Sequence, residues 1–176
     1  MSDDKGLTEA LNASIEMEEE GRAFYIKAAK NSKNEFGKRV FEALADDEIR
    51  HIAAIKQYYE AIAKKKKAPQ LGKVMPRHKN IKERLIFGKR ESELLKKIPA
   101  EADELKAYEI AANMENEGYR FYKKTLDEAG DPDVKDLYKF LISEEEVHLE
   151  LVSNAYEYLR DPAAWFAKEE RPIVEG

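Results

Sequence analysis

The sequence contains no cysteine among its 176 residues. Disulfide bonds, thiolate catalysis, zinc–thiolate sites and iron–sulfur or rubredoxin-type centres are therefore excluded within this chain. Glycine and proline are also scarce, with 8 and 6 residues, whereas 38% of the residues are charged. A chain that is poor in turn-forming residues and rich in Glu, Lys, Ala and Leu is expected to be mostly helical.

An excess of positive charge and long apolar runs are missing as well. The net charge is −5 with both signs mixed, and the one lysine run, residues 64–67, ends a predicted helix, where cations suit the helix dipole. This pattern predicts no nucleic-acid partner. No segment has the length of a membrane span or the apolar region of a signal peptide, so we expect a soluble cytoplasmic protein without a membrane partner.

Apolar residues with a period of about 3.6 predict four long helices. These helices are expected at about residues 7–30, 35–66, 101–129 and 132–160. Asp131-Pro132 and Asp161-Pro162 each combine an N-cap residue with a proline at the first helical position. The second of these pairs predicts a short helix at Ala163–Lys168, whose Trp165 and Phe166 are expected to dock on the end of the bundle.

Residues 67–99 are predicted to be a connection, because three prolines and two glycines interrupt them. One or two short helices are expected within residues 80–97, lying against the bundle. A connection of this length can carry the chain from one end of a bundle to the other. The prediction is an all-α, single-domain four-helix bundle, with hairpin 1 at about 7–66, a crossover at 67–99, hairpin 2 at about 100–160, and a C-terminal helix and tail at 161–176.

The two predicted hairpins repeat each other with an offset of 97 residues. Six residues of the eleven-residue window 15–25 have identical counterparts in the second hairpin: Met17 and Met114, Glu18 and Glu115, Glu20 and Glu117, Gly21 and Gly118, Phe24 and Phe121, Tyr25 and Tyr122. The match continues in the second helix of each hairpin, where Leu44, Glu48 and His51 correspond to Leu141, Glu145 and His148. Two copies of one αα-hairpin are expected to be related by a pseudo-twofold axis.

Each long helix places one glutamate within its apolar stripe: Glu18, Glu48, Glu115 and Glu145. A buried, unpaired carboxylate costs several kcal/mol, so positive charge must neutralise the four of them, and two divalent ions would supply it. Glu-x-x-His places a carboxylate and an imidazole on one helix face, which adds His51 and His148. Dimetal carboxylate bundles use this pattern, so these six residues are the predicted metal ligands.

Two further residue pairs lie close to the predicted ligands. Gly21 and Gly118 follow the first-helix glutamates by one turn, and either close helix packing or space for a small ligand would explain a mid-helix glycine. Tyr25 and Tyr122 lie two turns from the same glutamates. They are either core aromatics with a hydrogen-bonded hydroxyl or candidate catalytic residues beside the metal ligands.

Asp47 and Glu144 immediately precede the Glu-x-x-His motifs. They are either exposed flanking residues or the partners that orient the histidine of the opposite hairpin. The third histidine, His78, lies in the predicted connection and has no counterpart in the repeat. We expect it to be a solvated loop residue.

These motifs resemble those of the rubrerythrin branch of the ferritin-like superfamily. The resemblance covers most of residues 7–160 and rests on four motifs: Glu18-x-x-Gly21-x-x-Phe24-Tyr25, Asp47-Glu48-x-x-His51, Glu115-x-x-Gly118-x-x-Phe121-Tyr122 and Glu145-x-x-His148. It implies a ferritin-like bundle with a non-haem di-iron centre. By position it implies that Glu18 and Glu115 are terminal ligands, Glu48 and Glu145 bridging carboxylates, and His51 and His148 nitrogen ligands.

The resemblance also implies an oxidoreductase for oxidative-stress defence. Such an enzyme is a peroxidase that reduces hydrogen peroxide or O₂ by electron transfer from an external donor, such as a rubredoxin or a flavoprotein, and it is expected to form a homodimer. Rubrerythrins proper carry a rubredoxin domain, which needs cysteine. They also carry an additional glutamate one turn after the third-helix ligand, where this chain has Gly118.

The glycine at that position predicts a symmetric site and leaves three alternatives open. The first is a ferroxidase or iron-handling protein. The second is a dimanganese catalase, because carboxylate and imidazole bind manganese and iron alike, so that a manganese or mixed-metal centre satisfies the same ligands. The third is a helical interaction module that the metals only stabilise.

Overall fold

The computed structural model describes residues 3–64, 69, 71 and 102–169. Within those residues the chain forms five helices: α1 (Asp3–Asn31), α2 (Glu35–Ala63), α3 (Ala102–Glu128), α4 (Pro132–Arg160) and α5 (Pro162–Glu169). The all-α prediction is confirmed. The predicted crossover at 67–99, its short helices and His78 lie outside the described residues, apart from Pro69 and Leu71.

Side-chain caps explain where α2 and α4 begin. Asn34 Oδ1 accepts hydrogen bonds from the backbone N–H groups of Phe36 and Gly37, at 2.9 and 3.2 Å. Asp131 Oδ1 caps α4 in the same way, and Pro132 occupies the first helical position, where no N–H is needed. Each cap satisfies backbone donors that a helix start leaves unpaired, so the turns of both hairpins are encoded locally.

Two helix ends differ from the prediction. α1 begins at Asp3 instead of residue 7, because periodicity becomes readable only at the first apolar residue, Leu7, whereas backbone hydrogen bonding needs no apolar side chain. α2 ends at Ala63, and the N–H of Lys64 closes its last turn on the carbonyl oxygen of Glu60 at 3.0 Å. Both differences lie outside the part of each helix that carries predicted ligands.

The four long helices pack as two hairpins, α1 with α2 and α3 with α4. The hairpins meet through contacts of α1 with α3 and of α2 with α4. Residues of the described chain that correspond in the repeat are buried alike, as Leu44 and Leu141 (both 0% exposed) and Tyr25 and Tyr122 (both 1%) show. The bundle of two repeated hairpins is the predicted ferritin-like arrangement.

The buried apolar residues form two clusters. The first cluster contains Tyr25, Phe36, Val40, Phe41, Leu44, Tyr108, Leu151, Val152, Tyr158 and Leu159, together with small residues. The second cluster contains Leu11, Ile55, Tyr58, Tyr122, Val134, Leu137, Tyr138, Phe140 and Leu141. α2 and α3 both run from the first cluster to the second, so the chain leaves α2 at one end of the bundle and enters α3 at the other.

The short helix α5 closes the end of the bundle at the first cluster. The ring centroids of Trp165 and Phe166 lie 5.6 and 6.0 Å from that of Tyr158, in edge-on contacts. The predicted docking of these two aromatic residues is therefore confirmed. None of the helices in the described residues is long and apolar enough to cross a membrane.

Candidate metal centre

The six predicted ligands lie between the two apolar clusters, and all are at least 95% buried. Each helix of the bundle crosses from one cluster to the other, and its glutamate lies midway. The side chains form two groups: Glu18, His51 and Glu145, and Glu48, Glu115 and His148. Within each group the candidate ligand atoms lie within 4.8 Å of one another. The 97-residue repeat exchanges the two groups, so the arrangement has the predicted pseudo-twofold symmetry.

Both histidines direct Nδ1 towards the carboxylates. His51 Nδ1 lies 3.0 Å from Glu18 Oε2 and 3.3 Å from Glu48 Oε2. His148 Nδ1 lies 3.4 Å from Glu115 Oε2, and it makes no well-formed hydrogen bond within the described residues. The two imidazole rings are nearly parallel, with centroids 5.2 Å apart. A metal ion placed in each group would meet one imidazole and carboxylates from both hairpins.

In the absence of metal, bound protons would offset the negative charge of the buried carboxylates. Burial raises the pKa of Glu48 and Glu145 well above the usual range, and the charges of the neighbouring Glu18 and Glu115 raise it further. Burial also opposes ionisation of Glu18, but the charge of His51 and the hydrogen bonds with Glu48, His51 and Tyr122 together lower the pKa of Glu18 to about 2. The site therefore holds protons where divalent ions would otherwise supply the positive charge.

The histidines respond in the opposite direction. Burial lowers the pKa of an imidazole, but the charge of Glu18 raises the pKa of His51 well above its usual value. Glu115 likewise overcomes burial and raises the pKa of His148. The raised pKa values favour protons on the two imidazoles and on Glu48 and Glu145, where two divalent ions would supply positive charge, so the donor set fits a dimetal centre.

The two candidate catalytic tyrosines bond across the hairpin interface. Tyr25 donates its hydroxyl hydrogen to Glu115 Oε1, and Tyr122 donates to Glu18 Oε1. Burial and the nearby carboxylates raise the pKa of both hydroxyl groups well above the usual range, so both stay protonated and act as donors. Each tyrosine therefore orients the carboxylate that belongs to the other hairpin.

Asp47 and Glu144 lie behind the histidines. His148 Nε2 is 3.4 Å from Asp47 Oδ2, and His51 Nε2 is 3.8 Å from Glu144 Oε2. Asp47 also forms an ion pair with Arg50 of the same helix. Because both acidic residues are buried, the alternative that they are exposed flanking residues is wrong. Carboxylates at the outer nitrogen of an imidazole are in position to set its orientation.

Gly21 and Gly118 leave space beside the carboxylates. A Cβ atom on Gly21 would lie 3.5 Å from Glu48 Oε1, and one on Gly118 would lie 3.2 Å from Glu145 Oε2. A cavity of about 40 Å³ lies between α1 and α3, large enough for a molecule the size of water. It is lined by Met17, Glu18, Gly21, Tyr25, Glu48, Met114, Glu115, Gly118, Tyr122 and Glu145. Both explanations of the glycines therefore apply, since they allow close packing and border a small space.

A model of the rubrerythrin family matches residues 9–156 of this chain. The chain belongs to the rubrerythrin family. The matched range includes all six predicted ligands and both tyrosines. Membership indicates a di-iron protein, in agreement with the two Glu–His groups that the bundle brings together. Comparison with curated proteins and with solved structures gave no significant match.

The resemblance stated from the sequence implies an additional glutamate at the position that Gly118 occupies in this chain. The glutamate expected there in rubrerythrins proper has no counterpart, and a Cβ atom at this site would already be within 3.2–3.6 Å of the Glu145 carboxylate. The same residue types therefore lie on both sides of the pseudo-twofold axis. The symmetry that the sequence predicted is therefore present in the arrangement of the described residues.

Sequence reasoning missed the involvement of Met17 and Met114. Both residues border the cavity, one from α1 and one from α3. The repeat showed that these two residues are identical, and each immediately precedes a predicted ligand. Methionine at a partly apolar helix position commonly fills a gap in the core, so the sequence alone did not distinguish this pair from ordinary core residues. Only their position beside the cavity does so.

Proposed function

We propose that this protein is a non-haem di-iron oxidoreductase that reduces hydrogen peroxide, or O₂, with electrons from an external donor. The observation that carries the proposal is the pair of buried Glu–His groups beside a cavity of about 40 Å³. Family membership supports iron as the metal. An isolated metal site that only stabilised the bundle would not need a cavity against its carboxylates.

The residues present fit two divalent ions. Glu18 and His51 would hold one ion, Glu115 and His148 the other, and Glu48 and Glu145 would lie between them. Four ionised carboxylates balance the four positive charges of two divalent ions, which removes the cost of burying like charges together. The imidazoles would bind as neutral donors from the side of Nδ1, which faces the glutamates, while Nε2 faces Asp47 or Glu144.

Two ferrous ions supply the two electrons that, with two protons, convert one hydrogen peroxide to two waters. The side chains of the protein position the reacting groups and hold protons beside them. Tyr25 and Tyr122 keep hydroxyl protons at Glu115 and Glu18, at the wall of the cavity. The apolar clusters above and below the centre exclude bulk water, which strengthens every electrostatic contact within it.

These 176 residues contain no cysteine for a rubredoxin-type centre, so the proposal places the electron donor outside them. A rubredoxin or a flavoprotein is the class of donor that suits the proposal. The test is reduction of the oxidised centre by each class of donor, followed by its ultraviolet–visible spectrum. Turnover with peroxide and a small-molecule reductant alone would show that no protein donor is needed.

One observation favours a second function, that of a ferroxidase. The additional carboxylate of rubrerythrins proper is replaced by Gly118, where even an added Cβ atom would lie 3.2 Å from Glu145 Oε2. A symmetric centre without that carboxylate is closer to bacterioferritin-type centres. In this second function, ferrous iron is the substrate and O₂ is the oxidant.

Anaerobic loading with ferrous iron separates these functions. We expect two iron ions per chain, followed by faster oxidation with hydrogen peroxide than with O₂ in stopped-flow absorbance. A preference for O₂ would select the ferroxidase instead. Failure to bind two ions per chain would contradict both functions and the ligand assignment together.

Matched variants test the ligand assignment. Glu48→Gln with Glu145→Gln keeps the shape of the bridging residues but removes two charges, so two-ion binding should be lost. The control is Glu20→Gln with Glu117→Gln, which removes two exposed glutamates at equivalent positions of the same repeat. Unchanged stoichiometry in the first variant would show that the bridging assignment is wrong.

A further inference from the structure

Two of the residues that line the cavity beside the carboxylates are accessible to solvent. Met17 and Met114 are partly exposed, whereas the other eight described lining residues, Glu48 and Glu145 among them, are buried. The exposed part of the lining is therefore contributed by the two methionines, one from α1 and one from α3.

The repeat places these methionines symmetrically. Each is the residue before a predicted terminal ligand, Glu18 or Glu115, and the pseudo-twofold axis exchanges them. Both side chains border the same small cavity. Movement of either thioether away from the cavity would widen access to it without moving a helix.

Methionine suits this position chemically. Its side chain is unbranched, apolar and free to rotate about three bonds. Rotation can therefore move it into a gap or out of it at a low cost in free energy. A passage walled by two such side chains admits small molecules during brief openings and holds back larger ones. Side-chain rotation of this kind is fast compared with enzyme turnover.

We propose that Met17 and Met114 are the gate of the cavity, and that they set both the entry rate and the size limit of molecules that reach the carboxylates. The size limit rests on the proposed function, since it concerns the oxidant. The entry rate does not, because water must pass the same two side chains in the metal-free protein. The two consequences are tested separately.

The metal-free test measures exchange of the Tyr25 and Tyr122 hydroxyl protons with solvent by NMR. Both tyrosines line the cavity, so exchange requires entry of water. Met17→Ala with Met114→Ala should accelerate exchange about fivefold or more, which corresponds to a barrier lower by about 1 kcal/mol. Met17→Leu with Met114→Leu keeps the bulk and should stay within about twofold of the natural chain.

Ile15→Ala is the matched control, because Ile15 is a partly buried residue of α1 that packs on the second cluster and does not line the cavity. Its exchange rates should be unchanged. Equal acceleration in the leucine pair or in Ile15→Ala would indicate general loosening and overturn the gate, as would unchanged exchange in the alanine pair. If the double alanine variant does not fold, the same exchange rates are measured in Met17→Ala and in Met114→Ala.

The loaded protein tests the size limit. Natural protein should be oxidised much faster by hydrogen peroxide than by tert-butyl hydroperoxide, and the alanine pair should narrow that ratio about fivefold or more. Equal rates for both peroxides in the natural protein would overturn the size limit. If peroxide fails to oxidise the loaded natural protein, the proposed function fails, while the proton-exchange result decides the gate independently.

Discussion

Tyr25 of the first hairpin donates its hydroxyl hydrogen to Glu115 of the second, 90 residues away in sequence. Tyr122 of the second hairpin makes the equivalent bond to Glu18 of the first. Each hairpin therefore completes the carboxylate environment of the other. Neither half contains a finished site, so packing of the two hairpins and construction of the centre are one event.

Removal of either hydroxyl group should weaken the centre. Tyr25→Phe or Tyr122→Phe leaves a buried carboxylate oxygen without its donor, so we expect a loss of about 1–3 kcal/mol in the unfolding free energy of the metal-free protein. Loss of a group that orients a ligand should also lower metal affinity about 10-fold or more. Urea unfolding and competitive metal titration measure the two effects.

The control is Tyr108→Phe. Tyr108 is equally buried, but its hydroxyl donates to the Gly37 carbonyl oxygen, at 3.4 Å, and Tyr108 is not among the described residues that line the cavity. We expect metal affinity to be unchanged in this variant. Equal losses of affinity in all three phenylalanine variants would show that the cross-hairpin bonds have no special role.

The two glycines of the repeat should respond differently to alanine. Alanine in a helix is favoured over glycine by about 1 kcal/mol. At Gly21 the new Cβ atom would make an ordinary contact with Glu48 at 3.5 Å, so Gly21→Ala should raise thermal stability. At Gly118 it would be only 3.2 Å from Glu145 Oε2, so Gly118→Ala should gain less stability and bind metal more weakly.

Calorimetric unfolding and metal titration of the two variants, side by side, test this difference. Because the positions are equivalent in the repeat, each variant is the control for the other. Identical metal affinities would show that Glu145 moves away from the added methyl group without consequence.

Stability without metal should fall as pH rises. The pKa values of Glu48, Glu145, His51 and His148 are raised in the folded state, so these groups stabilise it below their unfolded pKa values. That contribution is lost as pH rises through the folded pKa values. Glu18 and Glu115 have lowered pKa values, and their contribution is lost only as pH falls below the usual carboxyl range.

Metal binding should have the opposite pH dependence, because the ligands must lose their protons first. We expect tighter binding at about pH 8 than at about pH 6, with release of up to about four protons for two ions. Urea unfolding at both pH values and proton release in weakly buffered solution are the measurements. Metal binding without proton release would contradict the charge balance described for the metal-free site.

One polar pair of the core has an apolar counterpart in the repeat. Ser14 Oγ lies 3.1 Å from the Tyr138 hydroxyl, whereas the equivalent residues, Ala111 and Phe41, carry no hydroxyl groups and are both fully buried. Ser14→Ala alone should cost about 1–3 kcal/mol, because it leaves the Tyr138 hydroxyl short of a partner. Adding Tyr138→Phe should recover most of that loss, since it recreates the pair that the repeat tolerates.

A double-mutant cycle in urea measures the coupling between these two positions. Tyr138→Phe alone is the third corner, and its Ser14 hydroxyl keeps a hydrogen bond to the Ala10 carbonyl oxygen at 2.9 Å. Additive losses in the double variant would show that the two hydroxyl groups stabilise the fold independently.

Patterns within single helices were enough to predict much of the molecule. The 3.6-residue period, the predicted cap at Asp131, and the match of the hairpins are local or repeated features, and they led to the four helices and the ligand set. Helix ends were less accurate, as the start of α1 at Asp3 shows. Glutamate in an apolar stripe was informative because burial of unpaired charge is too costly to occur without a reason.

The sequence by itself determined which side chains face the core of each helix, because helical geometry relates neighbours by a constant rotation. Only the tertiary structure decided which of them meet. The grouping of Glu145 with Glu18 and His51, the crossed bonds of Tyr25 and Tyr122, and the cavity bordered by Met17 and Met114 all depend on the rotation and register of one hairpin against the other. Periodicity within a helix carries no information about that relationship, which packing of the two apolar clusters determines.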